Sequence, residues 1–343
     1  MAQNRIPIDR ISRRSRPTQQ TIADITGLAV TTVSKALRQD PKISHSTRAL
    51  VNKIAQEVGY VPDRAALRLR TGKTNVISLI LDPHNEILSF GNSMISGVVK
   101  ALQETNYHLN IIPHFTQDEI ESPVVQIVRN GLADGLIFSR TTALDERVRF
   151  LTEKHFPFVT HGRTEFTEQH SFVDYDNDDF AYQSVMRLVQ KGCAKVCILL
   201  PLSKFTFYQH LRYGFMRAVR ETGVDYLFPQ TVSLDSQPDE LVEWARTLAQ
   251  SGEIPDGMIC PGEISYFAVQ NGFTSAGKKQ GSDYHMVAKS VSKVLGLSDP
   301  GLDCIDEDVH QAGFLMASHL VDQINNPEAG PLQTLQQPII KFK

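Results

Sequence analysis

The sequence lacks the features that define several classes of protein. It has no uncharged apolar run near the roughly 18 residues that a membrane-spanning helix needs, and its arginine-rich beginning lacks the apolar core of a secretory signal. Four cysteines in 343 residues are too few for a disulfide scaffold, and they lack the paired C-x-x-C spacing of a structural zinc site. We therefore expect a cytoplasmic protein with reduced thiols, no bound metal and no membrane partner.

Catalytic signatures are also incomplete. Gly72 and the two residues after it resemble the end of a phosphate-binding loop, but the first glycine of that motif would fall at Leu67. The aspartates of residues 174–178 lack the glycine and the closing glutamate of a calcium loop. No H-E-x-x-H motif occurs among the eleven histidines. The sequence therefore predicts neither catalytic residues nor a cofactor.

Basic residues are concentrated in the first part of the chain. Residues 1–75 hold 14 lysines and arginines against 5 acidic residues, a net charge of +9, whereas residues 76–343 carry −12. A basic segment on an acidic body is typical of a protein that binds a polyanion such as nucleic acid. The alternative is a basic tail that only improves solubility. Residues 1–16 are polar and show no periodicity, which predicts a disordered basic arm.

Residues 17–60 contain three short helical patterns. The first ends at Gly27, which is typical of a helix C-terminus, and the second runs through Val30–Leu37. The third follows a capping serine, Ser44 or Ser46. Two short helices joined by a tight glycine turn predict a helix–turn–helix unit, and the alternative is a generic three-helix bundle.

The second of these helices has a face suited to the DNA major groove. Val33 and Leu37 are expected to pack against the first helix. The residues then left pointing outward are Val30, Thr31, Ser34 and Lys35. In the major groove a lysine donates to guanine and methyl groups contact thymine, so these side chains are candidates for base recognition.

From Thr74 onward the pattern changes to alternating strands and helices. Apolar runs of strand length, such as Val76–Leu81 and Gly257–Cys260, alternate with amphipathic stretches such as Tyr208–Thr222. This alternation predicts parallel sheets with right-handed crossovers. Because there are too many units for one small sheet, we expect two doubly wound α/β lobes, with a last strand near residues 335–340.

Three segments of the first part of the chain, Pro17–Leu37, Pro41–Ser44 and Val58–Gly72, follow one another in a recognisable order. Together they resemble the LacI family of bacterial transcription repressors. Residues 134–138 and 157–163 are similar to the effector domain of that family, which is related to periplasmic sugar-binding proteins. The resemblance implies an all-α helix–turn–helix head and a two-lobed α/β body with a periplasmic-binding-protein-like fold.

The resemblance also implies domain boundaries and DNA contacts. The head would span residues 17–60, the hinge helix and linker 61–73, and the effector-binding and dimerisation body 74–343. Thr18 would cap the first helix and touch a phosphate. In the hinge, Leu69 would wedge into the minor groove. Further DNA-contacting residues implied for the hinge are Arg64, Ala66 and Arg68. The alternative is a linker whose leucines anchor it to the body.

The effector site is expected beyond the carboxyl ends of the strands. That rule selects Asp82, His161, Arg163, Glu263 and Lys289. Arg212 lies one residue beyond the arginine position of the family, which Leu211 occupies here. The basic members of this set suggest an anionic or phosphorylated ligand. The alternative for each residue is an ion-paired or solvated surface position.

The sequence thus predicts a DNA-binding transcriptional regulator, a repressor, whose operator affinity changes with a small-molecule effector such as a sugar or sugar phosphate. We expect a homodimer on a pseudo-palindromic double-stranded operator with half-sites about one helical turn apart. Two alternatives remain open at this point. They are a solute-binding protein that serves a transporter and a sugar-modifying enzyme, both on the same two-lobed scaffold.

Overall fold

The computed structural model describes residues 17–61, 72–82, 88–114 and 122–343. The chain divides into two compact units, a head within Met1–Thr74 and a body of Asn75–Lys343. The predicted arm of residues 1–16 lies outside the described residues. So do the predicted hinge residues Arg64, Ala66, Arg68 and Leu69.

The head contains three helices, α1 (Gln19–Thr26), α2 (Val30–Leu37) and α3 (His45–Glu57). The Thr18 side chain accepts a hydrogen bond from the backbone N–H of Thr21, and Gly27 ends α1 in the left-handed region at φ 70°. Ser44 caps α3. The helices enclose a small core of buried residues: Ile22, Ala23, Val33, Ala36, Val51 and Ala55. The predicted helix–turn–helix unit is confirmed.

The body begins with the elements of its first lobe. These are β1 (Val76–Leu81), α4 (Phe90–Leu102), β2 (His108–Pro113), α5 (Pro123–Asn130), β3 (Gly135–Phe138), α6 (Glu146–Glu153), β4 (Phe158–His161) and β5 (Phe172–Tyr175). The second lobe follows with α7 (Asn177–Gln190), β6 (Lys195–Ile198), α8 (Thr206–Thr222), β7 (Asp225–Leu227), α9 (Pro238–Ser251), β8 (Gly257–Cys260), α10 (Glu263–Ser275), β9 (His285–Ser290), α11 (Val294–Ser298) and β10 (Asp303–Asp306). The chain ends with α12 (Val309–Asn325), β11 (Gln333–Gln336) and β12 (Ile339–Lys341).

Two six-stranded sheets form the cores of the lobes. Their strand orders are β11-β5-β4-β3-β1-β2 and β12-β10-β9-β8-β6-β7. The pairs are parallel except for β12, which runs antiparallel to β10. Central strands such as β3 and β8 are buried along their whole length because helices cover both faces, which explains their continuous apolar sequences. The predicted pair of doubly wound lobes is confirmed.

The chain passes between the two sheets three times, after β5, after β10 and between β11 and β12. The single last strand predicted near residues 335–340 is therefore wrong. It is two short strands, one in each sheet, because the chain crosses to the second lobe within that segment. The first two crossings place Asn177 and Glu307 where the two lobes meet.

Candidate functional site

The predicted DNA-reading face lies on α2 of the head. Thr31 and Lys35 are exposed, and Val30 and Ser34 are half-buried. Val33 is buried beneath them in the core of the head. The structure therefore presents the four predicted residues on one short helix, with the two exposed side chains one turn apart.

The two helices of this helix–turn–helix unit differ in how their N-termini are capped. Thr18 is exposed at the start of α1 and forms a reciprocal capping box with Thr21, as the sequence predicts. α2 begins after Ala29, whose methyl group offers no hydrogen-bond acceptor to the first turn. Arg38 at the other end of α2 donates from Nε to the Ser34 carbonyl oxygen over 3.0 Å.

A cavity of about 470 Å³, part of it open to solvent, lies between the two lobes of the body. The described residues that line it are Phe90, Arg140, Thr141, His161, Gly162, Asp174, Asn177, Thr206, Phe207, Lys289 and Glu307. Most of its polar side chains follow or end a parallel strand, which is where ligands of such sheets bind. The walls combine two phenylalanine rings with several polar groups, as in many small-molecule sites.

Lys289 is buried at the second-lobe side of this cavity. Its Nζ donates to Asn177 Oδ1 over 2.8 Å and to Glu307 Oε2 over 2.9 Å. It also lies 4.2 Å from the ring centroid of Tyr175, a favourable cation–π distance. His161 of the first lobe approaches the same carboxylate, with 3.6 Å between its Nε2 and Glu307 Oε1. One carboxylate thus lies between basic groups of both lobes.

Asp174, in β5 of the first lobe, is a second buried carboxylate of the cavity lining. Its Oδ2 lies 3.0 Å from Arg163 Nε and 3.9 Å from His210 Nδ1 of the second lobe. Burial raises the pKa of the Asp174 carboxyl from 3.8 to about 6, although the charge of Arg163 acts in the opposite direction. Burial and the same arginine lower the pKa of His210 from 6.5 to about 4. Both groups therefore favour their neutral forms in slightly acidic solution.

A set of direct contacts, which we call the clasp, joins the lobes beside the cavity. Arg140 of the first lobe forms an ion pair with Asp235 of the second and stacks over the Phe205 ring at 4.5 Å. The hydroxyls of Thr141 and Thr206 are 3.0 Å apart, and the Thr206 N–H donates to the Thr141 carbonyl oxygen. Arg140 has a φ of 56°, so its backbone is in the left-handed region that costs a non-glycine residue energy. The two lobes are thus in direct contact beside the cavity.

The sequence matches two family descriptions over nearly its whole length. Residues 18–63 match "Bacterial regulatory proteins, lacI family", and residues 74–343 match "Periplasmic binding proteins and sugar binding domain of LacI family". The chain belongs to the LacI family. It is therefore a DNA-binding transcriptional regulator, as the sequence predicts.

Individual relatives of the LacI family agree with this assignment. The transcriptional regulator AglR of Rhizobium meliloti is 28% identical over 325 residues, covering 92% of this chain and 90% of that protein. The Lac repressor dimer bound to operator and the anti-inducer ONPF has the same fold, with a TM-score of 0.81 at 16% identity over 95% of this chain and 98% of that one. A complex of the regulator CelR with cellobiose superimposes with a TM-score of 0.66 at 21% identity, covering 95% and 98% of the two chains.

Two of the six predicted effector residues, His161 and Lys289, line the cavity of this LacI-family body. The other four are not among its described lining residues. Arg163 is close by, with its Nε 3.0 Å from Oδ2 of the lining residue Asp174. Asp82 is engaged elsewhere in the first lobe, 3.0 Å from His114 Nδ1 and 3.5 Å from an Arg147 nitrogen.

Arg212 and Glu263 also lie away from the cavity, for different reasons. Arg212 is exposed on α8, because the helical turn that buries Leu211 rotates the next residue toward solvent. Glu263 is fully buried, and its carboxylate accepts hydrogen bonds from the backbone N–H groups of Leu88, Val291 and Ser292. Its role in the structure is to tie the first lobe to the second.

The basic residues behind the expectation of an anionic ligand each have a carboxylate neighbour in the structure. Lys289 and Arg163 each have a carboxylate within 3.0 Å, and His161 has one at 3.6 Å. Position in the sequence selected the basic residues, but it could not reveal the acidic groups that neutralise them.

Sequence reasoning missed six polar residues of the cavity, which are Arg140, Thr141, Asp174, Asn177, Thr206 and Glu307. Asp174 lies in the second half of β5 and Asn177 follows that strand, so the strand-end rule applied to β5 could have found them. Glu307 directly follows β10. Because this strand has mixed polarity, the sequence shows no hydrophobic run that would predict it.

Membrane spans and metal sites can be judged for residues 17–61, 72–82, 88–114 and 122–343, which the structure describes. No helix in these ranges is long and apolar enough to cross a membrane. Within the same ranges, no cluster of histidine, cysteine or acidic side chains could hold a metal ion. All four cysteines are free and buried.

Proposed function

We propose that this regulator is a repressor whose affinity for operator DNA changes when a sugar or sugar derivative binds between the two lobes. The observation that carries the proposal is the position of the cavity, because its lining residues come from both sheets and from the segments that cross between them. A ligand that contacts both lobes favours one arrangement of the lobes over others. The complex of the similar regulator CelR with cellobiose supports a saccharide as the class of ligand.

For the head, we propose that Thr31 and Lys35 contact base edges and that Thr18 contacts a phosphate. Val30 and Ser34 would contribute from the same helix. Exposure of Thr18, Thr31 and Lys35 supports these roles. The hinge, residues 61–73, would connect this DNA-binding head of residues 17–60 to the body of residues 74–343, and its DNA contacts remain predictions.

We propose that the protein acts in the cytoplasm as a homodimer on a pseudo-palindromic operator. The similar Lac repressor structure is a dimer bound to its operator, which supports this arrangement. Two heads related by a two-fold axis require half-sites about one helical turn apart.

We propose no catalytic role for the cleft. Its two carboxylates, Asp174 and Glu307, lie beside cationic groups. Each carboxylate is already committed to a neighbouring cation, and the sequence completes no catalytic motif. Incubation of the protein with mono- and disaccharides should leave them unchanged by chromatography, and any turnover would favour the enzyme alternative.

The experiment for this proposal has two arms with the full chain. In the first, DNA bound by the protein is enriched from a random-sequence library, and we expect an inverted repeat. In the second, neutral and charged saccharides are screened for the increase in melting temperature that a ligand of the native state produces. Failure to enrich any sequence contradicts the operator proposal, and failure of every saccharide to stabilise the protein contradicts the effector proposal.

A further inference from the structure

We propose that the cleft selects an uncharged saccharide, and that the ion pair of Lys289 with Glu307 sets this selectivity by neutralising the recognition surface. The inference rests on the proposed function, since it specifies the ligand of the same cavity. It assigns Lys289 and Glu307 as specificity-determining residues.

The first step of the argument is the charge balance of the lining. Arg140 and Lys289 are the permanently charged cations among the described lining residues, and each forms an ion pair, with Asp235 and Glu307 respectively. Glu307 also lies near His161, and Asp174 lies beside Arg163. An anionic ligand placed against Lys289 would therefore also meet Glu307, whose charge repels it.

The second step is burial. Lys289 and Glu307 are each only 5% exposed and Asp174 only 3%, so water screens their charges poorly. A charged group brought into such a site loses its hydration, and it needs a partner of opposite charge to offset that loss. The cations that could provide one already have carboxylate partners. A cationic sugar meets the mirror-image problem beside Lys289 and Arg140.

The third step is hydrogen bonding. Asp174 Oδ2 is buried and accepts no hydrogen bond from the residues that the structure describes, although Arg163 lies close enough for an ion pair. A hydroxyl can donate to such an oxygen and at the same time accept from a donor. Phe90 and Phe207 supply apolar walls for the carbon face of a ring. A neutral polyhydroxylated ring meets all of these requirements without adding charge.

The experiment compares matched ligands with one ring and different charge. The probes are glucose and galactose, their uronic acids, their 6-phosphates and their 2-amino forms, with maltose, cellobiose and trehalose as larger neutral members. Affinities are measured by calorimetry on the full chain at pH 7.5. For the unmodified protein we expect a neutral saccharide to bind at least about tenfold more tightly than its charged derivatives, a difference that one buried unpaired charge readily exceeds.

Two substitutions should change the selectivity in opposite directions. Glu307→Gln removes the charge that neutralises Lys289, so the uronic acid or phosphate should gain affinity relative to the neutral sugar. Lys289→Gln leaves Glu307 without its cation, so the amino sugar should gain instead. Glu243→Gln is the matched control, since Glu243 pairs with Arg246 on the exposed face of α9. This control should leave the ratio of charged-sugar affinity to neutral-sugar affinity unchanged.

The outcomes separate the inference from the function on which it rests. A charged derivative that binds the unmodified protein as tightly as its neutral parent overturns the inference but keeps a saccharide effector. Variants that weaken neutral and charged ligands equally show that the pair is structural, which also overturns it. If no saccharide binds although the protein binds DNA, the proposed effector class is itself wrong.

Discussion

Asp174 and His210 approach each other across the cleft, and their pKa values are displaced in opposite directions. The pKa of Asp174 is raised to about 6, so its contribution to stability is present below 3.8 and is lost as the pH rises through 6. The pKa of His210 is lowered to about 4, so its contribution is present above 6.5 and is lost as the pH falls through 4. Between pH 4 and 6 the two effects oppose each other.

Substitution of either residue should therefore expose the effect of the other. Relative to the unmodified chain, Asp174→Asn should become more stable as the pH rises from 4 to 6, because only the histidine effect remains. His210→Gln should instead become less stable, relative to the unmodified chain, as the pH rises over the same interval. Denaturant unfolding at several pH values measures both, and two parallel profiles would contradict this description of the pair.

Lys35 is the exposed cation of the predicted recognition helix. Lys35→Ala should relax the base preference at one operator position and cost about 1–3 kcal/mol of binding free energy. Lys53→Ala is the matched control, because Lys53 lies on α3, where it faces Glu57 at 3.8 Å. Sequencing of the DNA bound by each variant measures the base preference. An unchanged preference for Lys35→Ala would show that Lys35 does not recognise a base.

Residue roles could be predicted only where the pattern of secondary structure fixes a position. His161 ends β4 and Lys289 lies in β9, so the strand-end rule brings both to the cavity. The same rule selected Glu263, but its backbone hydrogen bonds depend on how two lobes approach each other. The sequence of one segment does not contain that information.

At the scale of elements, α4 and α12 pack closely because glycines face each other's helix. A Cβ atom on Gly97 would lie 2.0 Å from the His310 carbonyl oxygen, and one on Gly313 would lie 2.4 Å from that of Met94. These helices join the early and late parts of the first lobe, since α12 follows the return of the chain from the second lobe.

Gly97→Ala should therefore force the two helices apart and destabilise the body by about 1–3 kcal/mol, the usual effect of overpacking. Gly296→Ala is the matched control, because a Cβ atom there meets no heavy atom within 4 Å among the described residues. Chemical denaturation of both variants gives the comparison. Equal stability of the two variants would show that the helices can separate without destabilising the body.

Elements with continuous apolar runs or clear helical periodicity were the predictable ones. β1 and β8 have the bounds that their sequences predict. The end of the chain did not follow the prediction, because β11 and β12 are short, partly exposed edge strands of different sheets. Short edge strands carry little hydrophobic signal, so their partners cannot be assigned from pattern alone.

For the whole molecule, three short helical patterns predicted the helical head, and the alternation of strands and helices predicted the two α/β lobes. The charge balance of the cleft was not predictable, because each ion pair joins residues that are distant in sequence. Lys289 and Glu307 meet because β9 and β10 are neighbours, and Arg140 meets Asp235 because the lobes close on each other. The clasp joins the two lobes beside the cleft, so a change in their relative position must also change these contacts.

The most direct test is whether ligand binding and operator binding depend on each other. Operator affinity of the full chain is measured at fixed salt with and without a saturating saccharide, and saccharide affinity is measured with and without operator. The account predicts that each ligand changes the affinity of the other by the same factor, about 5–150-fold for a typical coupling of 1–3 kcal/mol. Operator affinity that stays the same while the cleft is fully occupied would contradict it.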